Sequence, residues 1–173
     1  LMYSVVHGGT DPHLRRRSIE HLRALPFDGH AIGGSFGKTK EDLYTFLEAL
    51  SPALPQQQPV HLLGVGDLES IERCTPFGID TFDSSYPTKI ARHGLCLTDH
   101  GKLNILRLET ARERGPIDPG CSCYTCQNYS LGFVSHLLRA KELSAYTLLS
   151  IHNTAYMMRF MRRLREAILA DRL

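Results

Sequence analysis

The sequence predicts an α/β fold in which a parallel sheet is followed by a smaller metal-binding region. Apolar segments alternate with amphipathic ones about four times over residues 1–94, the pattern of parallel strands joined by crossover helices. Glycines follow the first three apolar segments. Further along, three cysteines lie within six residues, at Cys121, Cys123 and Cys126. Alternation, glycine placement and cysteine spacing together define the predicted organisation.

The βα pattern has local support at each element. Pro12 stands in the first turn of the first helix, and Thr39 opens the second with the spacing of a capping box. A Pro- and Gln-rich connector separates this helix from the third strand. In chain order, we predict strands over residues 2–6, 30–32, 60–65 and 78–82, with helices opening near Pro12, at Thr39 and at Leu68.

The pattern changes after residue 93. Residues 95–97 and 103–106 flank a turn and predict a β-hairpin. The cysteine-rich loop follows, and then two amphipathic helices, one near residues 127–140 and one beginning at about His152. We therefore divide the chain into βα units over 1–94, an insertion over 95–150 and a final helix over 151–173.

Composition is that of an ordinary globular domain, with 173 residues, 42% hydrophobic and 22% charged. No apolar run reaches the roughly 18 residues of a membrane span, and no signal peptide is recognisable. We expect a cytoplasmic protein. We also expect the chain, which begins at Leu1, to be a piece of a longer one. The net charge of +2 does not by itself indicate nucleic acid, and arginine runs such as residues 15–17 are usually solvated helix faces.

The three clustered thiols predict a metal site, because Zn²⁺ is often bound by three cysteines and one histidine. His136 and His152 are the downstream candidates for the fourth ligand. We favour His152, which we place at the start of the last helix, since His136 lies in an apolar helical stripe. Four protein ligands leave no open position, so the ion is expected to stabilise the fold. Cys74 and Cys96 are expected to be core residues.

Six segments together resemble the tRNA-guanine transglycosylase family. The pattern runs from a His-Gly-Gly turn, through Asp83 followed by Pro87, to the cysteine-rich loop and an Ile-His-Asn motif. The matching segments are residues 6–9, 31–34, 62–66, 78–94, 121–126 and 151–153. One Gly-Gly pair would carry little weight, but six segments in the order of the family are specific.

The resemblance implies the C-terminal half of a (β/α)8 TIM barrel with an inserted subdomain that binds structural zinc. Asp83 and the glycine pairs follow predicted strands, where barrel enzymes place their active sites. Half a barrel would expose two sheet edges, so we expect this segment to fold poorly alone. A homodimer is also expected from the family.

The resemblance also implies an activity. Family members exchange the wobble guanine of G-U-N anticodons for queuine or a 7-deazaguanine precursor, and Asp83 matches the nucleophile that forms a covalent intermediate with RNA. Three further residues, Gly33, Gly34 and Leu63, match positions that bind the base. His7 replaces a glutamine of the family and cannot present the paired donor and acceptor of an amide.

The incoming base and the RNA contacts follow from the same resemblance. Lys38 stands where members that take a cationic precursor carry glutamate, and this favours queuine. The anticodon loop of tRNA is expected to contact two segments. They comprise Gly64, Val65, Gly66, Asp67, Leu68, Glu69 and Ser70, and Thr88, Lys89, Ile90, Ala91 and Arg92.

Three other functions fit part of the pattern. A non-catalytic tRNA-binding subunit of a heterodimeric transglycosylase would share the fold, although the intact Asp83 argues against it. An archaeal type of transglycosylase would act at another tRNA position and carry further RNA-binding domains. A zinc-ribbon nucleic-acid module would not need the preceding βα units.

Overall fold

The computed structural model describes residues 1–172 and contains two compact units, Leu1–Ser84 and a second that begins at Ser85. The first unit holds a four-stranded parallel sheet with the strands in chain order. Its strands are β1 (Tyr3–Val6), β2 (Gly29–Ile32), β3 (Val60–Leu62) and β4 (Thr81–Phe82). The predicted α/β fold with a parallel sheet is confirmed, whereas closure into a barrel stays a prediction.

Two strands are shorter than their apolar sequences predicted. β3 ends at Leu62, because the chain turns at Gly64, whose φ of +76° lies in the left-handed region. β4 begins only at Thr81, since Gly78 adopts a φ of +85° at the end of the preceding short helix. Both strands still end next to the residues that the sequence singled out.

Helices α1 (Pro12–Arg23), α2 (Lys40–Leu50) and α3 (Leu68–Cys74) connect these strands. Asp11 caps α1 by accepting from the backbone N–H of His13 and Leu14. Thr39 and Asp42 form the predicted capping box of α2. The core of this unit consists of apolar residues from the strands and helices, among them Val6, Ile19, Ile32, Leu47, Leu50, Val60, Leu62 and Cys74.

The second unit contains α4 (Tyr86–Arg92), the antiparallel hairpin of β5 (Leu95–Thr98) and β6 (Gly101–Asn104), and helices α5 (Tyr124–Asn128), α6 (Leu131–Arg139) and α7 (Leu143–Leu169). Their shared core includes Cys96, Ile105, Leu138 and Leu149. The prediction that Cys74 and Cys96 are core residues is confirmed, as both are fully buried.

The start predicted for the last helix is wrong. α7 begins at Leu143, so His152 lies within it and not at its first turn. The segment from Leu143 to Ile151 contains no glycine or proline and buries Ala145, Leu148 and Leu149, which favours an uninterrupted helix. The division at residue 151 therefore does not coincide with a helix boundary, and Leu173 lies outside the described residues.

None of the helices within residues 1–172 combines the length and the apolar character that a membrane crossing requires.

Candidate active site and metal centre

The carboxyl ends of β2, β3 and β4 bring the predicted base-binding and catalytic residues into one row. Leu63 N donates to Ile32 O at 2.9 Å, which fixes Leu63 beside the turn after β2. A Cβ atom on Gly33 would lie 2.6 Å from the Leu63 side chain, so a larger residue there would require that side chain to move. Gly34 follows with a φ of +84°, a conformation that glycine adopts freely. Gly34 and Leu63 are both exposed at this end of the sheet.

Asp83 completes this row directly after β4. Its Oδ1 accepts from Gly64 N at 3.0 Å and lies 3.0 Å from His61 Nε2. The hydrogen bonds from Gly64 and His61 lower the pKa of Asp83, so the carboxylate is ionised at neutral pH. The side chain is 58% exposed. An anchored, ionised and accessible carboxylate is suited to nucleophilic attack on a cationic carbon.

His61 connects the two strands below Asp83 and was missed by the sequence reasoning. Its Nδ1 lies 2.8 Å from Thr81 Oγ1, while Nε2 faces the Asp83 carboxylate. Because a carboxylate only accepts, Nε2 carries the hydrogen of that contact. The alternation of side chains along β3, with Leu62 buried between His61 and Leu63, was the available signal that His61 shares a face with Leu63.

Arg15 corrects the prediction of a solvated arginine run over residues 15–17. Its side chain is only 1% exposed, and its guanidinium donates to Val6 O at 2.6 Å, Gly9 O at 2.9 Å and Gly33 O at 2.7 Å. The guanidinium carbon also lies 5.2 Å from the centre of the Phe46 ring. Within residues 1–172 no carboxylate pairs with Arg15. Backbone carbonyls compensate this buried charge and thereby tie the turns after β1 and β2 together.

We expect Arg15→Lys to destabilise the full-length protein by about 2–4 kcal/mol, because an ammonium group cannot reproduce a planar fork that binds several carbonyls. Thermal or denaturant unfolding measures this loss. Arg17→Lys is the matched control, since Arg17 is exposed on the same helix. Equal stability of the two variants would contradict the assigned role of Arg15.

The other predicted base and RNA contacts have different surroundings. His7 is exposed, and its backbone N–H donates to Ser18 Oγ at 3.2 Å. In the turn after β3, Gly64 is exposed, Val65 is half-buried, and Gly66 is buried against Ser84. Leu68 begins α3 and is half-buried.

Lys40 forms ion pairs with the two acidic residues of the 64–70 segment. Its Nζ lies 2.6 Å from Asp67 Oδ1 and 2.8 Å from Glu69 Oε2. The hydrogen bonds to Asp67 and Glu69 raise the pKa of Lys40. The single positive charge of Lys40 thus offsets part of the negative charge of Asp67 and Glu69, which reduces repulsion of a polyanion.

Two predicted RNA contacts are buried. Ser70 lies 3.1 Å from Tyr44 Oη and is almost fully covered, and Ala91 is fully covered within α4. Their side chains cannot reach a nucleic acid in this conformation, because each packs inside its own unit. Lys89 and Arg92 are exposed on α4, while Thr88 and Ile90 are half-buried.

The three thiols and one imidazole converge in the second unit, as the sequence predicted. The ligand atoms of Cys121, Cys123, Cys126 and His152 all lie within 4.8 Å of one another. His152 Nδ1 is 3.3 Å from Cys126 Sγ and 3.7 Å from Cys123 Sγ. Tetrahedral zinc, with bonds of about 2.3 Å to sulfur and 2.0 Å to nitrogen, would separate sulfur from nitrogen by about 3.5 Å. The cluster therefore has the composition and size of a metal site.

His152 reaches the thiols from the middle of α7, not from its start. Its Nε2 donates to Leu97 O at 2.8 Å, which leaves the Nδ1 lone pair directed at the thiols. Burial lowers the pKa of His152 and favours the neutral ligand form. His136, the alternative ligand, is exposed on α6 and is not a member of the cluster.

Residues around the cluster hold its ligands in place. Asn153 accepts from Leu97 N at 2.9 Å and donates to Leu95 O at 2.9 Å and Pro87 O at 3.0 Å. Arg159 pairs with the buried Asp118 at 2.8 Å beside the first cysteine. The Ile-His-Asn motif thus joins the hairpin, α4 and the metal loop.

The chain is similar over nearly its whole length to known proteins of one family. The family described as "Queuine tRNA-ribosyltransferase" matches residues 1–173. Proteins with that name are 51% identical over 170 residues in Protochlamydia amoebophila and 47% identical over 173 residues in Chlamydia muridarum. These alignments cover 98% and 99% of the chain but 44% and 46% of the relatives. The chain spans less than half the length of these curated relatives. It belongs to the queuine tRNA-ribosyltransferase family.

Proposed function

We propose that the full-length protein is a tRNA-guanine transglycosylase that exchanges the wobble guanine of G-U-N anticodons for a 7-deazaguanine base. The observation that carries this proposal is the ionised Asp83 carboxylate, held by Gly64 N at 3.0 Å beside the Gly33–Leu63 contact. The family membership and the names of the relatives support the same activity.

Asp83 would act on the ribose of the target nucleotide. Its carboxylate forms a bond to C1′ while the glycosidic bond breaks, and the bonding electrons leave with guanine. A nitrogen of the incoming base then attacks C1′ and displaces the carboxylate. Gly64 N and His61 fix Oδ1 during both steps and leave Oδ2 for the covalent bond. Proton transfer to the leaving base, and removal of the proton from the attacking nitrogen of the incoming base, are expected from the part of the relatives that this chain does not span.

The base would lie against the turns after β1, β2 and β3. Gly34 offers backbone at close range, Leu63 an exposed apolar side chain, and His7 an exposed imidazole. Because the base must leave its stack to expose C1′, we expect a flipped nucleotide. Lys38 is exposed near this turn and disfavours a cationic precursor, so queuine is the expected incoming base.

The metal site would hold structural Zn²⁺. Cys121, Cys123, Cys126 and His152 would be its four ligands, and the neutral Nδ1 of His152 fits this role. A site with four protein ligands has no position for substrate, so zinc stabilises the second unit and takes no part in base exchange.

The rest of the proposal concerns architecture and partners. Four strands in chain order with intervening helices agree with the last four βα units of a TIM barrel over residues 1–94, with a zinc insertion over 95–150 and a final helix beyond it. The expected partners are the anticodon loop of tRNA, the free 7-deazaguanine base and a second copy of the protein.

The exposed basic residues of α4, Lys89 and Arg92, are expected to contribute to RNA binding. Lys89→Ala and Arg92→Ala in the full-length protein should each weaken tRNA binding and reduce the salt dependence of the association constant by about one counterion. Titrations over a range of salt concentrations measure both quantities. Lys141→Ala is the control, and an equal effect of all three substitutions would contradict a specific role for α4.

The test of the proposed function is base exchange by the full-length protein on tRNA with a G-U-N anticodon, followed by denaturing electrophoresis for a covalent RNA adduct. We expect incorporation of queuine, release of guanine and an adduct that requires the wobble guanine of the anticodon. Binding of the tRNA without exchange or adduct would overturn the proposal and favour the non-catalytic subunit.

A further inference from the structure

We propose that His61 is a positioning residue that sets the rotation of the Asp83 carboxylate, an inference that rests on the proposed transglycosylase function. His61 Nε2 lies 3.0 Å from Asp83 Oδ1, the same oxygen that accepts from Gly64 N at 3.0 Å. Two donors on one oxygen restrain the carboxylate plane more tightly than a single donor, because one hydrogen bond still permits rotation about it.

Thr81 accommodates the tautomer of His61 that the Asp83 carboxylate requires. Its Oγ1 lies 2.8 Å from Nδ1 and can donate to that nitrogen, which leaves the hydrogen on Nε2 where Asp83 needs a donor. The register of β3 and β4 pairs His61 with Thr81, so the backbone of the sheet fixes this contact. Thr81, His61 and Asp83 form a chain from the sheet to the proposed nucleophile.

Electrostatics and positioning predict opposite effects of His61. A donor on Oδ1 stabilises the negative charge that Asp83 loses when it attacks C1′, and this slows the attack. Orientation accelerates the attack, since a reacting group held in line avoids the entropy cost of finding its geometry. If stabilisation of the Asp83 charge dominates, loss of His61 should raise the rate of attack on C1′. If positioning dominates, loss of His61 should lower that rate.

The test compares two amides at position 61 of the full-length protein. The amide nitrogen of Gln occupies a position similar to Nε2 and can donate to Asp83, whereas the shorter Asn reaches only the position of Nδ1. We expect His61→Asn to lower the single-turnover rate of adduct formation about 10- to 100-fold, the range for a hydrogen bond to a charged group. The rate of adduct formation by His61→Gln should stay within about threefold of the wild-type rate. The tRNA affinity of both variants should be unchanged.

Thr81→Val keeps His61 and tests the chain without changing the imidazole. We expect an intermediate loss of about 3- to 10-fold, because Nδ1 loses its hydrogen-bond partner and the ring is held less firmly. His21→Asn, at an exposed histidine of α1, should leave the rate unchanged.

Two results would overturn the inference while the proposed function stands. One is adduct formation by His61→Asn at or above the wild-type rate, and the other is equal loss in the Gln and Asn variants with equal loss of thermal stability. If the wild-type protein forms no adduct at all, the proposed function itself fails and the positioning role falls with it.

Discussion

Asp83→Asn should lower base exchange by the full-length protein by more than about 10³-fold, the scale at which loss of a covalent nucleophile is felt. The amide is isosteric but uncharged, so it cannot form the ester with C1′. It can still accept from Gly64 N and His61 through its oxygen, and the fold around β4 should persist. Exchange of labelled guanine into tRNA and trapping of the adduct measure this effect.

Asp99→Asn provides the matched control for this substitution. Asp99 is an exposed aspartate whose contact is a surface ion pair with Arg163 at 3.0 Å. Because exposed pairs contribute little, we expect unchanged exchange and nearly unchanged stability. Residual exchange above one-tenth of the wild-type rate in Asp83→Asn would contradict a nucleophilic role for this carboxylate.

Cys126→Ser should abolish the proposed metal site and unfold much of the second unit. Serine has no thiolate, and three remaining ligands hold Zn²⁺ far more weakly than four. Since α5 and α7 contribute ligands to one cluster, we expect the metal content to fall well below one ion per chain and the Tm to fall by more than about 10 °C. Elemental analysis and thermal unfolding of the full-length protein measure these changes.

Cys74→Ala separates loss of the metal from loss of a buried thiol. Cys74 is fully buried in the first unit and is outside the cluster, and burial raises its pKa to about 11, as is typical of an inert thiol. This control should keep full metal content at a modest cost in stability. A Cys126→Ser protein with normal metal content would exclude Cys126 as a ligand.

Asp83 and its neighbours show which contacts of the site can be predicted from the sequence and which cannot. Asp83 was predicted because its surrounding motif is contiguous, and the parallel strands place it beside Gly64. His61 was not predicted, since it precedes Asp83 by 22 residues and meets it only through the pairing of β3 with β4. The alternation along β3 indicates the face that His61 occupies, but a single sequence does not show which residue of another strand it meets.

The predictions for the arginine run and for the start of the last helix are wrong for different reasons. Arg15 shares a run with two exposed arginines, and whether its charge is buried depends on the carbonyls that the ends of β1 and β2 present. The predicted start of the last helix is wrong because the residues before His152 include neither glycine nor proline and bury an apolar face, so the helix extends back to Leu143.

By itself, the sequence predicted the βα order and the parallel sheet from local periodicity, and three cysteine ligands of a candidate metal site from their close spacing. The resemblance of its motifs to a known family identified Asp83 as the candidate nucleophile. Only the tertiary structure decided that Arg15 is buried, that His61 contacts Asp83 and that His152 reaches the thiols from mid-helix. These contacts join residues distant in sequence, and their geometry follows from how strands pair and helices pack. The chemistry of the residues was readable along the chain, while their mutual orientation arose from folding.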